Sequence, residues 1–195
     1  WLPGAGVEGS VDGSPATARR RPRVSTLSLG CQASASGHAR GRGPERLVDG
    51  DGETEWFAPP GGQRAWVQLD LGGERSIHAV SFQWWAASMA LEWVLESRGE
   101  SDNDPWVERA SSGTAPRPVE TFNAWVRLRG WQAPCRLLRL RMARGHRDPW
   151  GFGVLFGLRT FDVSGSDEAA AAGPGPLWGA GSGAGPASPG VWLAL

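Results

Sequence analysis

Three short segments of this chain concentrate side chains able to bind or react. They are Gly37-His38-Ala39-Arg40-Gly41-Arg42, Trp84-Trp85-Ala86-Ala87-Ser88 and Arg144-Gly145-His146-Arg147-Asp148-Pro149-Trp150. Loops held between fixed strands are where binding residues concentrate. His, Arg and Asp supply hydrogen-bond donors and acceptors, and an indole supplies a flat apolar face. That combination suits a sugar, whose hydroxyls need rigid polar partners and whose C–H face needs an aromatic one. Each residue also has a plainer reading. His38 and His146 read equally as solvated loop histidines, and Trp85 and Trp150 as caps on the rim of a fold. Catalysis finds less support. His38, His78 and His146 lie far apart, Glu53 and Glu55 sit on a turn where carboxylates are solvated, and no Gly-x-Ser-x-Gly, His-Glu-x-x-His or phosphate-loop pattern occurs. An enzyme is therefore not expected.

Composition narrows the partners. The 195 residues carry formal net charge zero, with 20 basic and 20 acidic side chains, and every basic one is Arg. A nucleic-acid binder needs a basic excess to meet phosphates, so none is expected. Two local clusters exist, Arg19-Arg20-Arg21-Pro22-Arg23 and Arg136, Arg139, Arg141, Arg144 and Arg147. The first reads as a solvated tail or processing site. No apolar run approaches the ~18 residues that span a bilayer. A start at Trp1 fits a fragment or processed product, so the lack of a leader is uninformative. Cys31 and Cys135 have no zinc spacing; a disulfide and two buried thiols both remain open, and with them the compartment.

The elements that must hold these loops are strands. Trp66, Leu69 and Leu71 lie in one run, Val80, Phe82 and Trp84 alternate in a second, and Trp93, Leu95 and Ser97 in a third. Trp125-Val126-Arg127-Leu128, then Leu138, Leu140 and Met142, then Phe161-Asp162-Val163 follow. Turn clusters such as Pro59-Pro60-Gly61-Gly62 separate them. Trp84 falls on the inward alternation and Trp85 points the other way. Trp56, Trp66, Trp93 and Trp106 are assigned to core or fold-defining packing. No amphipathic helix is evident, so an antiparallel sandwich or barrel is expected. Residues 24–165 form the domain. Residues 1–23 are Gly/Pro/Arg-rich, and residues 166–195 are an Ala/Gly/Pro tail whose composition cannot offset chain entropy; both are expected to be disordered.

Several segments in order resemble the coagulation factor V/VIII type C, or discoidin-like, domain. Leu27 to Ser36 is similar to its opening strand. Leu47-Val48-Asp49-Gly50-Asp51-Gly52-Glu53-Thr54-Glu55-Trp56, then Trp66-Val67-Gln68-Leu69-Asp70-Leu71-Gly72, follow in its order. Val80 to Trp84, Trp93 to Ser97 with Trp106 after the next turn, Cys135 to Leu140, and Phe156 to Gly165 match later strands. The resemblance implies an all-β, antiparallel jelly-roll sandwich of about eight strands, galactose-binding-like, with ligand loops at one end.

It also implies a site. Ligand-binding residues would be His38, Arg40, Trp85, Arg144, His146 and Trp150. Carbohydrate-binding members often hold one structural calcium in the Asp-Gly-Asp loop. By position Asp49 would offer its carboxylate, Thr54 its hydroxyl or carbonyl, and Leu47 and Asp51 carbonyls or a second carboxylate. Thr160 stands where many members carry Glu, and a missing charge weakens calcium binding. Without calcium, Asp49 and Asp51 make Asx-type turn bonds. The family disulfide joins the domain ends, whereas Cys135 sits one strand early.

The expected function is a non-catalytic module binding a glycan or glycoprotein, on an extracellular or cell-surface protein. Two alternatives stay open. One is an intracellular protein–protein scaffold. The other is an anionic-lipid surface binder with Trp85 and Met89 as apolar spikes beside Arg144 and Arg147.

Overall fold

Alternation decides the architecture. Val67, Leu69 and Leu71 share one face of a strand, Val80, Phe82 and Trp84 share one face farther along, and all six are buried. The computed structural model describes residues 25–86, 88–115, 123–131, 134–145 and 155–166. Of the expected tails, residues 1–23 and 167–195 lie outside the described residues, as do His146 and Trp150, and Ser166 is buried at the end of the last strand.

Nine strands occur among the described residues: β1 Ser25–Thr26, β2 Gln32–Ala35, β3 Trp56–Phe57, β4 Arg64–Trp84, β5 Ala90–Arg98, β6 Val107–Ser111, β7 Trp125–Arg129, β8 Pro134–Gly145 and β9 Gly157–Ser166. All pairings are antiparallel. Among the described residues the one helical element is a short 3-10 turn, Pro44–Leu47, with Pro at its start.

Two runs expected as separate strands are continuous in β4, which serves both layers. Its first half pairs with β2 on one side and β8 on the other, and β8 continues to β5 and β6. Its second half pairs with β7 and β9, and β9 carries β1 and β3 on its far edge. The change of layer falls at Gly72-Gly73. Gly72 takes φ +77°, open to Gly at little cost. The β8 register shifts between Asp70 and Arg75 at the same place, and Asp70 Oδ1 accepts the Gly72 N–H at 2.9 Å. The result is the expected jelly-roll sandwich.

Between the layers Phe82 is the hub. Its ring meets Trp84, Trp93 and Phe161 edge-on, at centroid distances of 5.5, 5.3 and 5.9 Å. Such pairs add roughly 0.5–1.5 kcal/mol each beyond the area they bury. Trp56, Trp84 and Trp93 are core residues as expected.

Trp66 and Trp106 are not. Both are half-buried, on or beside the outer face of the first sheet. The expectation ignored that Ala65, Val67, Leu69 and Leu71 already occupy the inward positions of β4. The two indoles instead flank Arg139, whose guanidinium lies 5.2 Å from the Trp66 ring and 4.0 Å from that of Trp106. Arg139 also donates from Nε and Nη2 to Gln68 Oε1, at 3.1 and 2.7 Å. The aromatic surroundings desolvate this cation and lower its pKa. The other described arginines of the second basic cluster are paired too, Arg136 with Asp70, Arg141 with Glu96 and Arg144 with Glu92.

The cysteines are free thiols. Burial pushes Cys31 up to about 11, with the Asp70 charge adding to it. Burial pushes Cys135 up to about 12. Such thiols are protonated and unreactive at neutral pH.

Candidate functional site

Short connections gather the loops of interest at one end. Phe57 reaches Arg64 across the Pro-Pro-Gly-Gly turn, and Trp84 reaches Ala90 through the Trp85 loop. Register places Ala90 opposite Gly145, and Phe57 opposite Gly157.

The His38 loop is sewn onto β3. The Ala39 N–H donates to the Phe57 carbonyl at 2.9 Å, and Trp56 Nε1 to the Gly37 carbonyl at 3.3 Å. His38 and Arg40 are exposed on this loop. Trp85 is half-buried and meets the Phe57 ring edge-on at 4.9 Å. The Arg42 guanidinium lies 5.5 Å from the same Phe57 ring and pairs with Glu55. Glu55 is therefore not the solvated carboxylate expected. It is 9% exposed, and a buried carboxylate needs a cationic partner.

The Trp85 loop is held under strain. Ala86 has φ +45° and Asn123 φ +52°, a region non-glycine residues seldom occupy. Reciprocal bonds hold them: Ala86 N–H donates to Asn123 Oδ1 at 2.8 Å, and Asn123 N–H to the Ala86 carbonyl at 3.0 Å. Trp85 N–H also donates to the Gly157 carbonyl at 2.9 Å. The indole is thus fixed from both sides.

Arg144 stands apart from this cluster. Its Nη1 donates to Glu92 Oε1 at 2.6 Å, and its backbone N–H to the Gln63 carbonyl at 3.4 Å. So the loop that carries His38 and Arg40 is bonded to Phe57, whose ring meets Trp85 and Arg42, and Arg144 pairs with Glu92 instead. His146 and Trp150 lie outside the described residues. Phe57 and Arg42 were not legible as site residues, because only the β3–β9 pairing sets Phe57 beside Trp85. Trp85 and Met89, the spikes expected of a lipid binder, are both half-buried. Trp85 leans on Phe57 and Met89 packs against the core.

The acidic loop forms the second feature. Asp49 Oδ1 accepts the Asp51 N–H and Asp51 Oδ1 accepts the Glu53 N–H, both at 2.9 Å, as Asx turns require. Thr54 Oγ1 lies 3.0 Å from the Arg46 carbonyl, 2.8 Å from Asp49 Oδ2 and 3.0 Å from the Asp51 carbonyl. A hydroxyl has one proton, so it serves one of these oxygens at a time. Oxygens of Arg46, Asp49 and Asp51 thus converge on one hydroxyl, although the Asp51 carbonyl also accepts the Thr54 N–H at 3.3 Å, and such convergence is the oxygen chemistry a hard cation uses. The carbonyl in this group is that of Arg46, one residue before the expected Leu47, whose side chain is buried in the core. Thr160 donates to Asp162 Oδ1 at 2.9 Å. Both line one cavity of about 420 Å³ with Asp49 and Asp51. Asp162 therefore brings a carboxylate to the wall where Thr160 has none. The period of two in β9 already put these residues on one face. No group of three or more His, Cys, Asp or Glu side chains is placed to hold a metal among the described residues.

The F5/8 type C domain model matches residues 32–129. This chain belongs to the F5/8 type C domain family. The F5/8 domain also resembles solved structures at low identity. Chitosan-binding module 1 of a chitosanase/glucanase from Paenibacillus sp. IK-5 superimposes with a TM-score of 0.60 at 20% identity, over 71% of this chain and 98% of that one. Module 2 of the same enzyme, in complex with chitotriose, gives 0.55 at 20%, over 70% and 98%. The family 32 CBM of NanJ from C. perfringens, in complex with galactose, gives 0.57 at 12%, over 73% and 99%. Identities this low establish the fold. No curated protein matches the sequence.

Proposed function

We propose that this F5/8 type C domain is a non-catalytic carbohydrate-binding module that takes its ligand on the His38, Arg40 and Trp85 loops. The observation that carries the reading is the held aromatic. Trp85 is braced by Phe57, its neighbour Ala86 is held by the Asn123 bonds, and exposed His38 and Arg40 lie on the loop bonded to Phe57. A preformed aromatic near exposed polar side chains is what sugar recognition needs, since a rigid site loses less entropy on binding. Modules of similar fold in complex with chitotriose and galactose support the ligand class. Glycans of that kind are met outside cells, so the parent protein is read as secreted or surface-displayed. The test is a glycan array with the full chain. Binding lost on Trp85→Ala and weakened on Arg40→Ala supports the reading, and an array silent at every glycan ends it.

We also propose that the acidic loop holds one structural calcium. Arg46 and Asp51 would offer carbonyls, Asp49 a carboxylate and Thr54 its side-chain oxygen. Calcium would supply the positive charge this oxygen cluster lacks. The chain's own part is to tie the loop to the 3-10 turn through Thr54. The melting temperature should rise in millimolar calcium relative to chelator, and Asp49→Ala should abolish the rise. An unchanged melting temperature removes calcium from the account.

A further inference from the structure

The outer face of the first sheet carries a second cavity, of about 730 Å³, away from the Trp85 cluster. Its size is in the range of small-molecule sites. Register shows how it forms. Trp66, Arg141, Val94 and Ser111 lie in one row across β4, β8, β5 and β6, and Arg64, Ala143 and Glu92 in the next outward row. Neighbouring strands lie about 4.8 Å apart, so the four strands span roughly 14 Å. Ala143 between Arg64 and Glu92, and Gly113 at the far end, leave a trough. Longer side chains form its walls.

Two properties of this trough point to a ligand. The first is a rigid aromatic wall. The Trp66 backbone is fixed by two bonds with Ser36, at 3.1 and 3.0 Å, and its ring rests beside Arg139. The second is unbalanced charge. Arg141 is paired with Glu96 and Glu92 with Arg144, whereas Arg64 is exposed with no side-chain partner among the described residues. One free guanidinium beside an indole suits a sugar that carries an anion. A planar carboxylate matches the guanidinium fork with two parallel bonds, and Ser111 and Ser112 line the trough beyond it.

We propose that this trough is a second binding site, for an acidic oligosaccharide built of uronic acid units, with Trp66 as its stacking wall and Arg64 as its carboxylate anchor. It uses none of the residues assigned to the loop site, so the two sites fail separately.

The test is calorimetric titration of the full chain with oligogalacturonate, and with a neutral oligosaccharide of equal length. Variants are Arg64→Gln, Trp66→Ala and Trp85→Ala. Arg64→Gln removes an exposed side chain with no partner among the described residues, so its melting temperature should match the parent. Oligogalacturonate should bind more weakly as salt rises. Arg64→Gln should weaken it at least about tenfold, the loss of one solvent-exposed carboxylate–guanidinium pair. Trp66→Ala should abolish it, and Trp85→Ala should leave it unchanged. The proposal is overturned if oligogalacturonate does not bind. It is equally overturned if Arg64→Gln binds like the parent, or if Trp85→Ala alone abolishes binding, which would assign the acidic sugar to the loops.

Discussion

Raising the pH above 9 should destabilise this protein through its two cysteines, and little else should interfere. The chain has no Lys and no Tyr, the side chains that normally titrate near pH 10. The α-amino group titrates near 8, below the window, and Arg stays charged throughout. That leaves Cys31 and Cys135. Their ordinary pKa is 9.0, and burial raises them to about 11 and about 12 in the folded state. The sign follows from proton binding. Below pH 9 the thiols are protonated in both states and stability is complete. Above 9 the unfolded chain releases two protons that the folded chain retains, so stability falls with pH until the folded thiols ionise as well. One pH unit is worth about 1.36 kcal/mol per group. The fully buried Cys135 should thus remove about 1 kcal/mol at pH 10, and between about 2 and 3 kcal/mol at pH 11. Half-buried Cys31 should add less, since solvent reaches it. The assay is urea denaturation followed by Trp fluorescence, at pH steps from 8 to 10.5. Cys135→Ala should lower stability at pH 8, because it empties core volume, yet flatten the decline above 9. A parent protein equally stable at pH 8 and 10.5 would refute the reasoning, as it would if the two sulfurs were bridged.

Other tests follow from particular bonds. Trp56 and Trp84 are equally buried, but Trp56 Nε1 donates to Gly37, and Trp84 Nε1 has no partner among the described residues. Trp56→Phe should therefore cost roughly 1–2 kcal/mol more than Trp84→Phe in urea denaturation, because only the first leaves a carbonyl unpaired and only the second removes an orphan donor. Equal costs would refute this. The Arg136 guanidinium, bonded to Asp70 at 2.9 Å twice, holds that carboxyl below its ordinary value. A depressed carboxylate stabilises above its unfolded pKa, near 3.8, and the gain vanishes as pH falls through the folded value. Asp70→Asn should be less stable than the parent at pH 7 and decline less steeply below pH 4; parallel acid limbs would exclude the pair. Arg139→Lys keeps the charge but loses the planar stack and the fork onto Gln68. It should cost roughly 0.5–2 kcal/mol and shift the near-UV dichroism of the tryptophans, and a variant identical to the parent in both would show that the stack contributes nothing.

Much of the fold was legible because its core obeys a period of two. Val80, Phe82 and Trp84, then Leu138, Leu140 and Met142, are buried as their alternation required. The merging of two runs into β4 was not legible, because a Gly-Gly pair reads as a turn. Here it bends one strand between layers. The site was legible in part. His38, Arg40 and Trp85 stood in segments whose composition marks loops. Their partners came from elsewhere: Phe57 through the β3–β9 pairing and Asn123 through a bond spanning 37 residues. Glu55 read as solvated because its cation, Arg42, belongs to a separate loop.

The tryptophans on the outer face mark where periodicity stops informing. An indole at an outward position has to cover its apolar faces with something, and a sheet open to solvent provides no second layer. In this domain Arg139 serves as that layer, stacked between Trp66 and Trp106 and tied in plane by Gln68. A guanidinium suits the role because it is planar and weakly hydrated, so stacking costs it little. The same stack leaves Trp66 standing as a fixed wall beside the trough that runs to Arg64 and Glu92. Residues that a pattern of burial would place in the core thus become the ordered part of an exposed surface, and ordered aromatic surface is what a flat polar ligand can use.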